Sequence, residues 1–319
     1  MKILIADSFP SSHSESLTSA GHEVTLQPEL DSVSLPQAIQ ANEILIVRST
    51  RVSESLLKQA EALKLVIRAG AGTNTIDKEC AASLDISVCN VPGANSRAVA
   101  ELVMGLIISI DRQIPNNVID AKQAVWNKKK YSIARGLAGQ KLGILGMGAI
   151  GFAVAERARG FAMSVYALSK PGRSPDAENR ITSSGIIQID TQDELLETCD
   201  IITLHMPATE TTRRMVNREF LSKMKQGALL INTSRGDLVD EEALIDAMNN
   251  RGIRAGLDVY DNEPAAGDNT FKSEIFVHPS VYGTHHIGAS TEQAQTAVAD
   301  GVLAIVEAYI NGKLINRVN

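Results

Sequence analysis

Three glycines, Gly146, Gly148 and Gly151, stand at the spacing G-x-G-x-x-G. A short apolar run, 142–145, precedes them, and an alanine-rich helical segment, 149–161, follows. Between a strand and a helix each glycine has a separate task. The first permits a tight turn, the second lets the backbone approach a pyrophosphate, and the third lets the helix pack on the strand. The helix N-terminus then presents unpaired N–H groups and the positive end of its dipole to an anion. The stretch is expected to hold the diphosphate of a dinucleotide through Gly146, Gly148, Ala149, Ile150 and Gly151. Taken alone, such a spacing is also met in purely structural turns.

Three further clusters fall at or just beyond expected strand ends, where open α/β sheets bind ligands. Arg235, beside Gly236 after the run 228–233, is placed for a bidentate grip on a carboxylate, although a lone arginine there would read as a surface residue. Asp258 lies inside an apolar strand, which is costly unless it is paired, so it calls for a polar partner. Glu263 precedes Pro264, and His285 and His286 precede the last helix. A Glu and a His on neighbouring loops form an acid–base pair in which the carboxylate orients the imidazole and favours its protonated form. A zinc site is the rival for the two histidines. Adjacent His side chains point apart, however, and no cysteine or carboxylate spacing completes a ligand set, so no metal is expected.

The elements that must carry these residues alternate strand and helix throughout. Runs at 2–7, 23–27, 43–48, 65–69 and 86–91 read as strands, with helical composition at 14–20, 36–41, 53–61 and 77–84 between them. They rarely alternate polar with apolar, which predicts parallel strands buried on both faces. A long apolar helix over 95–112 follows, with Asn95 or Ser96 as its expected N-cap. The alternation restarts at Lys141, with strands at 164–168, 186–189, 200–206, 228–233, 254–259 and 275–277 and helices at 193–199, 217–224 and 241–249. A final helix over 291–310 is long enough to return to the first domain. The fold class is α/β with two doubly wound parallel sheets. A Rossmann dinucleotide-binding domain (99–287) is inserted in a flavodoxin-like substrate-binding domain (1–98 and 288–319). The amphipathic segment 112–131, which carries the single Trp126, belongs to neither sheet; a subunit contact and a covering helix fit it equally.

At 319 residues two domains are the expectation. A net charge of −6 with no like-charged block gives no nucleic-acid footprint. No apolar run reaches membrane length, and the N-terminus opens directly on a strand with no visible signal peptide. Three scattered cysteines suit a reducing cytoplasm.

Taken together, Arg68-Ala-Gly70-Ala-Gly72-Thr-Asn-Thr-Ile-Asp77, Arg112-Gln-Ile-Pro115, Gly143 to Gly151, Ile231 to Gly236, Leu257 to Pro264 and His286 to Gln295 resemble, in order and spacing, the D-2-hydroxyacid dehydrogenases. The last motif, with Ile46-Val-Arg48-Ser49, narrows the resemblance to the phosphoglycerate dehydrogenase branch. It covers essentially the whole chain. The resemblance implies hydride transfer between a nicotinamide and C2 of a small acid, most simply 3-phospho-D-glycerate, in a cytoplasmic homodimer or larger homo-oligomer joined through 112–131. It implies His286 as acid–base, Glu263 as its support, Arg235 as carboxylate clamp and Asp258 near the nicotinamide. It further implies His205, Pro207 and Thr233 as cofactor contacts, backbone N–H groups of Gly70, Ala71 and Gly72 on the carboxylate, and Arg48 toward the substrate phosphate, with Lys128 as a further candidate from a partner subunit.

Two departures stand out. Where the family usually places an Asp that bonds the adenosine ribose, this chain has Ser169, followed by Lys170 and Arg173. The cofactor is expected to be NAD, with NADP admitted because no carboxylate repels a 2′-phosphate. Lys170 and Arg173 either reach that phosphate or face water. The chain also ends at Asn319, where many of the phosphoglycerate branch continue into a regulatory domain. A glyoxylate or hydroxypyruvate reductase is the nearest rival, and a dinucleotide-sensing corepressor scaffold a remote one.

Overall fold

Unbroken runs of aliphatic and β-branched residues become strands buried on both faces in a computed structural model of the chain, which describes residues 1–30, 33–264 and 270–319. In the unit formed by Met1–Ser96 with Ala289–Asn319, five strands lie parallel: β1 (Lys2–Ile5), β2 (Glu23–Leu26), β3 (Ile44–Val47), β4 (Leu65–Arg68) and β5 (Ser87–Asn90). Helices α1 (Ser11–Ser19), α2 (Leu35–Ile39), α3 (Glu54–Gln59) and α4 (Lys78–Ser83) connect them. The strand order β2-β1-β3-β4-β5 is the flavodoxin-like one, with its topological switch point between β1 and β3.

The unit Arg97–Gly288 holds most of α5 (Ser96–Arg112), then α6 (Ile114–Lys122) and a seven-stranded parallel sheet. Its strands are β6 (Lys141–Leu145), β7 (Ser164–Leu168), β8 (Ile187–Ile189), β9 (Ile201–Leu204), β10 (Leu229–Asn232), β11 (Arg254–Leu257) and β12 (Val281–Gly283). Helices α7 (Ala149–Gly160), α8 (Pro175–Ser183), α9 (Gln192–Thr198), α10 (Arg218–Lys223) and α11 (Glu241–Arg251) join them. The order β12-β11-β10-β9-β6-β7-β8 is the Rossmann order with one strand added at the β11 edge, and it reverses between β6 and β9. Separate apolar clusters fill the two faces of this sheet.

The last helix, α12 (Glu292–Ile310), belongs to the first unit. Its Val302, Ile305 and Val306 pack with Ile3, Ile44 and Ile67. Beyond it the tail runs along β5: Val318 N–H donates to the Val88 carbonyl at 2.9 Å, and the Asn319 side chain accepts from Val88 N–H at 2.8 Å. The edge strand is thereby covered.

Three expectations need correction. The apolar run 275–277 is a turn with Val277 75% exposed, and the edge strand is Val281–Gly283 instead. Helix α8 has no counterpart in the sequence reading. Neither proposed N-cap of α5 acts as one: the helix begins at Ser96, and among the described residues Ser96 Oγ and Asn95 Oδ1 have no hydrogen-bond partner. In the segment 112–131 no residue of α6 is buried and Trp126 is 91% exposed.

Candidate active site

The glycine turn sits at the switch point of the seven-stranded sheet. Gly146 has φ +107°, and a Cβ there would lie 2.1 Å from the His205 carbonyl oxygen, so only glycine lets β6 leave the sheet against the end of β9. A Cβ on Gly151 would lie 2.2 Å from the Gly146 carbonyl, which fixes how closely α7 sits on its own turn. A Cβ on Gly148 would meet nothing within 4 Å; that side of the turn faces open space. Helix α7 starts there with no side-chain cap and no acid in its first turn, leaving its leading N–H groups and dipole for an anion. Nearby in the sequence of strand ends, Thr233 Oγ1 is buried with no partner among the described residues. A glycine cradle, an uncapped helix and an orphaned hydroxyl fit a dinucleotide. Gly148, Ala149, Ile150 and Gly151 would hold its diphosphate and Thr233 a further polar group.

Other expected cofactor residues are placed more narrowly. The His205 imidazole is turned inward, its Nε2 2.9 Å from Thr203 Oγ1, and burial pushes its pKa down to about 3. Its Nδ1 is buried with no partner among the described residues, and its backbone N–H donates to the Leu145 carbonyl at 2.7 Å. Pro207 is exposed beyond β9. Ser169 ends β7, its N–H donating to the Ile189 carbonyl at 2.7 Å. Lys170 is exposed. Arg173 takes neither of the two courses expected of it. Its guanidinium donates to the Leu168 carbonyl at 2.6 Å and to Gln188 Oε1 at 2.9 Å, with Glu178 3.5 Å away. That leaves Lys170 as the cation of this loop without a partner among the described residues.

Arg235 leaves β10 through a turn built by Asn232. The fully buried Asn232 side chain accepts from Ser234 N–H at 3.0 Å and donates to the Arg235 carbonyl at 2.8 Å. Gly236 then packs on the end of β11, where a Cβ would lie 2.0 Å from the Tyr260 carbonyl. Burial lowers the Arg235 pKa, opposed by the charges of Glu263 and Asp237. A guanidinium stays charged under such a shift.

Glu263 and His286 meet as the sequence predicts: Nδ1 lies 2.7 Å from Oε2. The other carboxylate oxygen accepts Tyr260 N–H at 3.0 Å, which fixes the acid on its own loop. Burial raises the Glu263 pKa. The bond and charge of His286, the Tyr260 N–H and the charge of Arg235 together outweigh it and hold the carboxyl below its ordinary value. The His286 ring is 53% exposed, so Nε2 is left for a ligand. His285 instead packs its ring edge-on to Phe276 with centroids 5.5 Å apart. No group of three potential metal-binding side chains occurs among the described residues.

Asp258 finds the partners that its burial demands. Its carboxylate accepts Thr284 Oγ1 at 2.7 Å, Ile287 N–H at 2.8 Å and Gly288 N–H at 2.8 Å.

In the other unit, the end of β4 turns at Gly70, φ +137°. The carbonyls of Gly70 and Ala71 accept Val91 N–H at 3.0 Å and Asn90 Nδ2 at 2.6 Å. The N–H groups of Ala71 and Gly72 have no acceptor among the described residues, as an anion-binding turn requires. Arg48 ends β3 at that sheet's switch point. Asp7, at the end of β1, accepts Arg48 N–H at 2.6 Å, Ser49 N–H at 3.1 Å, Thr50 N–H at 3.1 Å and Ser49 Oγ at 3.0 Å. The sequence reading missed Asp7, Asn232 and Thr284. Only the first carries a signal, a carboxylate at a strand end beside a switch point.

Residues 104–288 match the sequence pattern of the "D-isomer specific 2-hydroxyacid dehydrogenase, NAD binding domain". A D-3-phosphoglycerate dehydrogenase of Methanocaldococcus jannaschii is 36% identical over 321 residues, covering 100% of this chain and 59% of that protein. The chain thus spans about three-fifths of that relative's length. A hydroxypyruvate reductase of Thermotoga maritima is 37% identical over 280 residues, 86% of this chain and 87% of that one. Among solved structures, the D-lactate dehydrogenase of Aquifex aeolicus, complexed with NAD and lactic acid, has a TM-score of 0.83 at 26% identity, covering 98% of this chain and 96% of that one.

Proposed function

The chain belongs to the D-isomer-specific 2-hydroxyacid dehydrogenases, NAD-dependent oxidoreductases, and within that family we propose that it interconverts 3-phospho-D-glycerate and 3-phosphohydroxypyruvate, the entry to serine biosynthesis. The observation that carries the chemistry is the 2.7 Å bond between Glu263 and His286. With Nδ1 held by the carboxylate, His286 uses Nε2 to take the C2 hydroxyl proton in oxidation and to return it in reduction. Glu263 fixes the orientation of the ring through that bond. Arg235 grips the substrate carboxylate bidentately and polarises the C2 oxygen. When bound, NAD supplies the hydride chemistry, and the residues of the glycine turn hold its diphosphate. The free N–H groups of Ala71 and Gly72 are suited to a carboxylate, and Arg48 to a phosphate.

The phosphorylated substrate is supported by the names of relatives matched along the whole chain and by Arg48, whose guanidinium has no partner among the described residues. Hydroxypyruvate or glyoxylate is the second reading. It is favoured by the Thermotoga maritima relative, matched over most of its length, and by Ser169-Lys170 in place of an acid. The deciding experiment measures kcat/KM for 3-phosphoglycerate, glycerate and D-lactate and for their keto acids, with each cofactor. A preference for glycerate over 3-phosphoglycerate would overturn the first reading and favour the second.

We further propose a homodimer through 112–131, because this segment leaves Ile114, Val118, Ile119, Val125 and Trp126 exposed, with Ile133 just beyond it. The chain's three thiols are free, the state a reducing cytoplasm maintains, and we place the enzyme there. No helix among the described residues is long and apolar enough to cross a membrane.

A further inference from the structure

His286 carries its imidazole on a backbone that a β-carbon residue seldom adopts: φ is +52°. That left-handed conformation is disfavoured for a non-glycine residue and persists only where its surroundings fix it. Glu263 holds the ring, and the backbone around it is held chiefly by Asp258. Asp258 is 1% exposed at the end of β11. Its main-chain carbonyl accepts His286 N–H at 2.8 Å, and its carboxylate accepts Ile287 and Gly288 N–H at 2.8 Å each and Thr284 Oγ1 at 2.7 Å. The residues on both sides of His286 are thus tied to a single buried acid. Gly288 permits the closest approach, since a Cβ there would lie 3.0 Å from Asp258 Oδ2. Thr284 is in turn fixed by its N–H, which donates to the Leu257 carbonyl at 2.9 Å.

We propose that Asp258 and Thr284 form a positioning clasp that holds His286 in its left-handed turn and so presents Nδ1 to Glu263 and Nε2 to the substrate. The inference rests on the reading of His286 as the acid–base. It gives Asp258 a task besides any contact with nicotinamide. A carboxylate has roughly four acceptor sites, and three are already filled within the protein. Thr284 is the informative half of the clasp. Its hydroxyl serves Asp258, and it stands two residues from the imidazole without touching it. Losing a fixed turn misplaces a reacting nitrogen, which lowers the chemical step while leaving ground-state binding largely intact.

Asp258→Asn sets an amide donor against backbone N–H donors and risks unfolding the loop, so the test uses Thr284→Val, which keeps the shape and removes the hydroxyl. We expect kcat to fall about tenfold, the kinetic equivalent of 1.4 kcal/mol. The NADH dissociation constant, read by fluorescence, should stay within about twofold. The proton shared by His286 and Glu263, assigned in ¹H NMR by its loss in His286→Asn, should move upfield or broaden in Thr284→Val. Thr284→Ser, which restores the hydroxyl, should restore both kcat and the resonance. Unchanged kcat with an unshifted resonance in Thr284→Val would overturn the clasp. So would a loss confined to cofactor binding and thermal stability. Full activity of His286→Asn would instead remove the acid–base reading, a separate failure.

Discussion

Arg235 and Lys carry the same charge but not the same geometry, and the site distinguishes them. The Asn232 turn and the Gly236 contact fix where the Arg235 side chain starts, and its guanidinium donates to the Ser234 carbonyl, leaving further N–H groups for a substrate carboxylate if it grips one. Arg235→Lys replaces the planar fork with a point charge. The loss of a charge-assisted pair of bonds, about 1.5–3 kcal/mol, corresponds to a drop in kcat/KM of about tenfold to more than a hundredfold. Near-normal turnover of the Lys variant would show that Arg235 does not grip the substrate. For the acid–base pair, His286→Asn should nearly abolish turnover without weakening cofactor binding. Glu263→Gln keeps a hydrogen-bonding partner for the ring but removes its charge, so turnover should fall to a residual level; unchanged turnover would separate the two residues. Stability follows the same pair with a definite sign. The Glu263 pKa is held below its ordinary value of 4.5, so its contribution is present above that pH and is lost as pH falls through the depressed value. Glu263→Gln should remove that part of the acid sensitivity, measurable as a flatter dependence of melting temperature on pH. Arg235, Glu263 and His286 were legible because their types are rare at strand ends without a purpose. Asp7 and Thr284 were not, because a carboxylate or hydroxyl that serves backbone N–H groups looks in sequence like any polar loop residue.

At the scale of elements, legibility followed burial. Strands such as β3 and β9 are four fully buried aliphatic or β-branched positions, and no other element accommodates such a run at that length. Helix α8 escaped notice because only Ile181 of its nine residues is buried, which leaves almost no periodic signal. The edge strand β12 is three partly exposed residues, while Ile275, six residues before it starts, is buried as part of a turn. Apolar character there marked the core and not the strand. The loop after β7 carries the cofactor prediction. An acid at the position of Ser169 would both bond the ribose diol and repel a 2′-phosphate; Ser169 offers one neutral bond and repels nothing. Because Arg173 is bound to Leu168, Gln188 and Glu178, attraction of a 2′-phosphate falls to Lys170 alone. We expect NADP(H) to be used within about tenfold to a hundredfold of NAD(H), and Ser169→Asp to widen the gap by about tenfold or more. Lys170→Ala should lower NADP(H) efficiency selectively. A wild-type preference for NAD beyond about a thousandfold, some 4 kcal/mol, would place the discrimination in another residue.

For the whole molecule, two alternations of strand and helix were readable, and the strand orders that followed put Arg48 at one switch point and the glycine turn at the other. What the sequence left undecided was the segment 112–131, because amphipathic composition does not say what lies against its apolar side. Among the described residues none of α6 is buried, so its apolar side is left largely open. Five large apolar side chains of the segment, Ile114, Val118, Ile119, Val125 and Trp126, lie between 42% and 91% exposed, and Ile133 just beyond it is 72% exposed. A monomer that left this much apolar surface in water would forgo stabilisation and invite nonspecific association. A second copy of the chain is the partner always present at matching concentration, and a two-fold axis lets one self-complementary face close on itself. The surroundings suit a specific contact, since Lys130 and Tyr131 are both bound to Asp120, at 2.9 Å and 2.6 Å, which gives the segment a fixed shape. An aromatic anchor as exposed as Trp126 is expected to carry a large share of the binding energy. Sedimentation should therefore return about twice the 34.2 kDa chain mass at micromolar concentration. Trp126→Glu combined with Ile119→Lys should return the monomer mass with unchanged circular dichroism, because both side chains are exposed and no packing within the chain is lost. A wild-type protein that sediments at the mass of one chain would mean that this face is closed by some other partner.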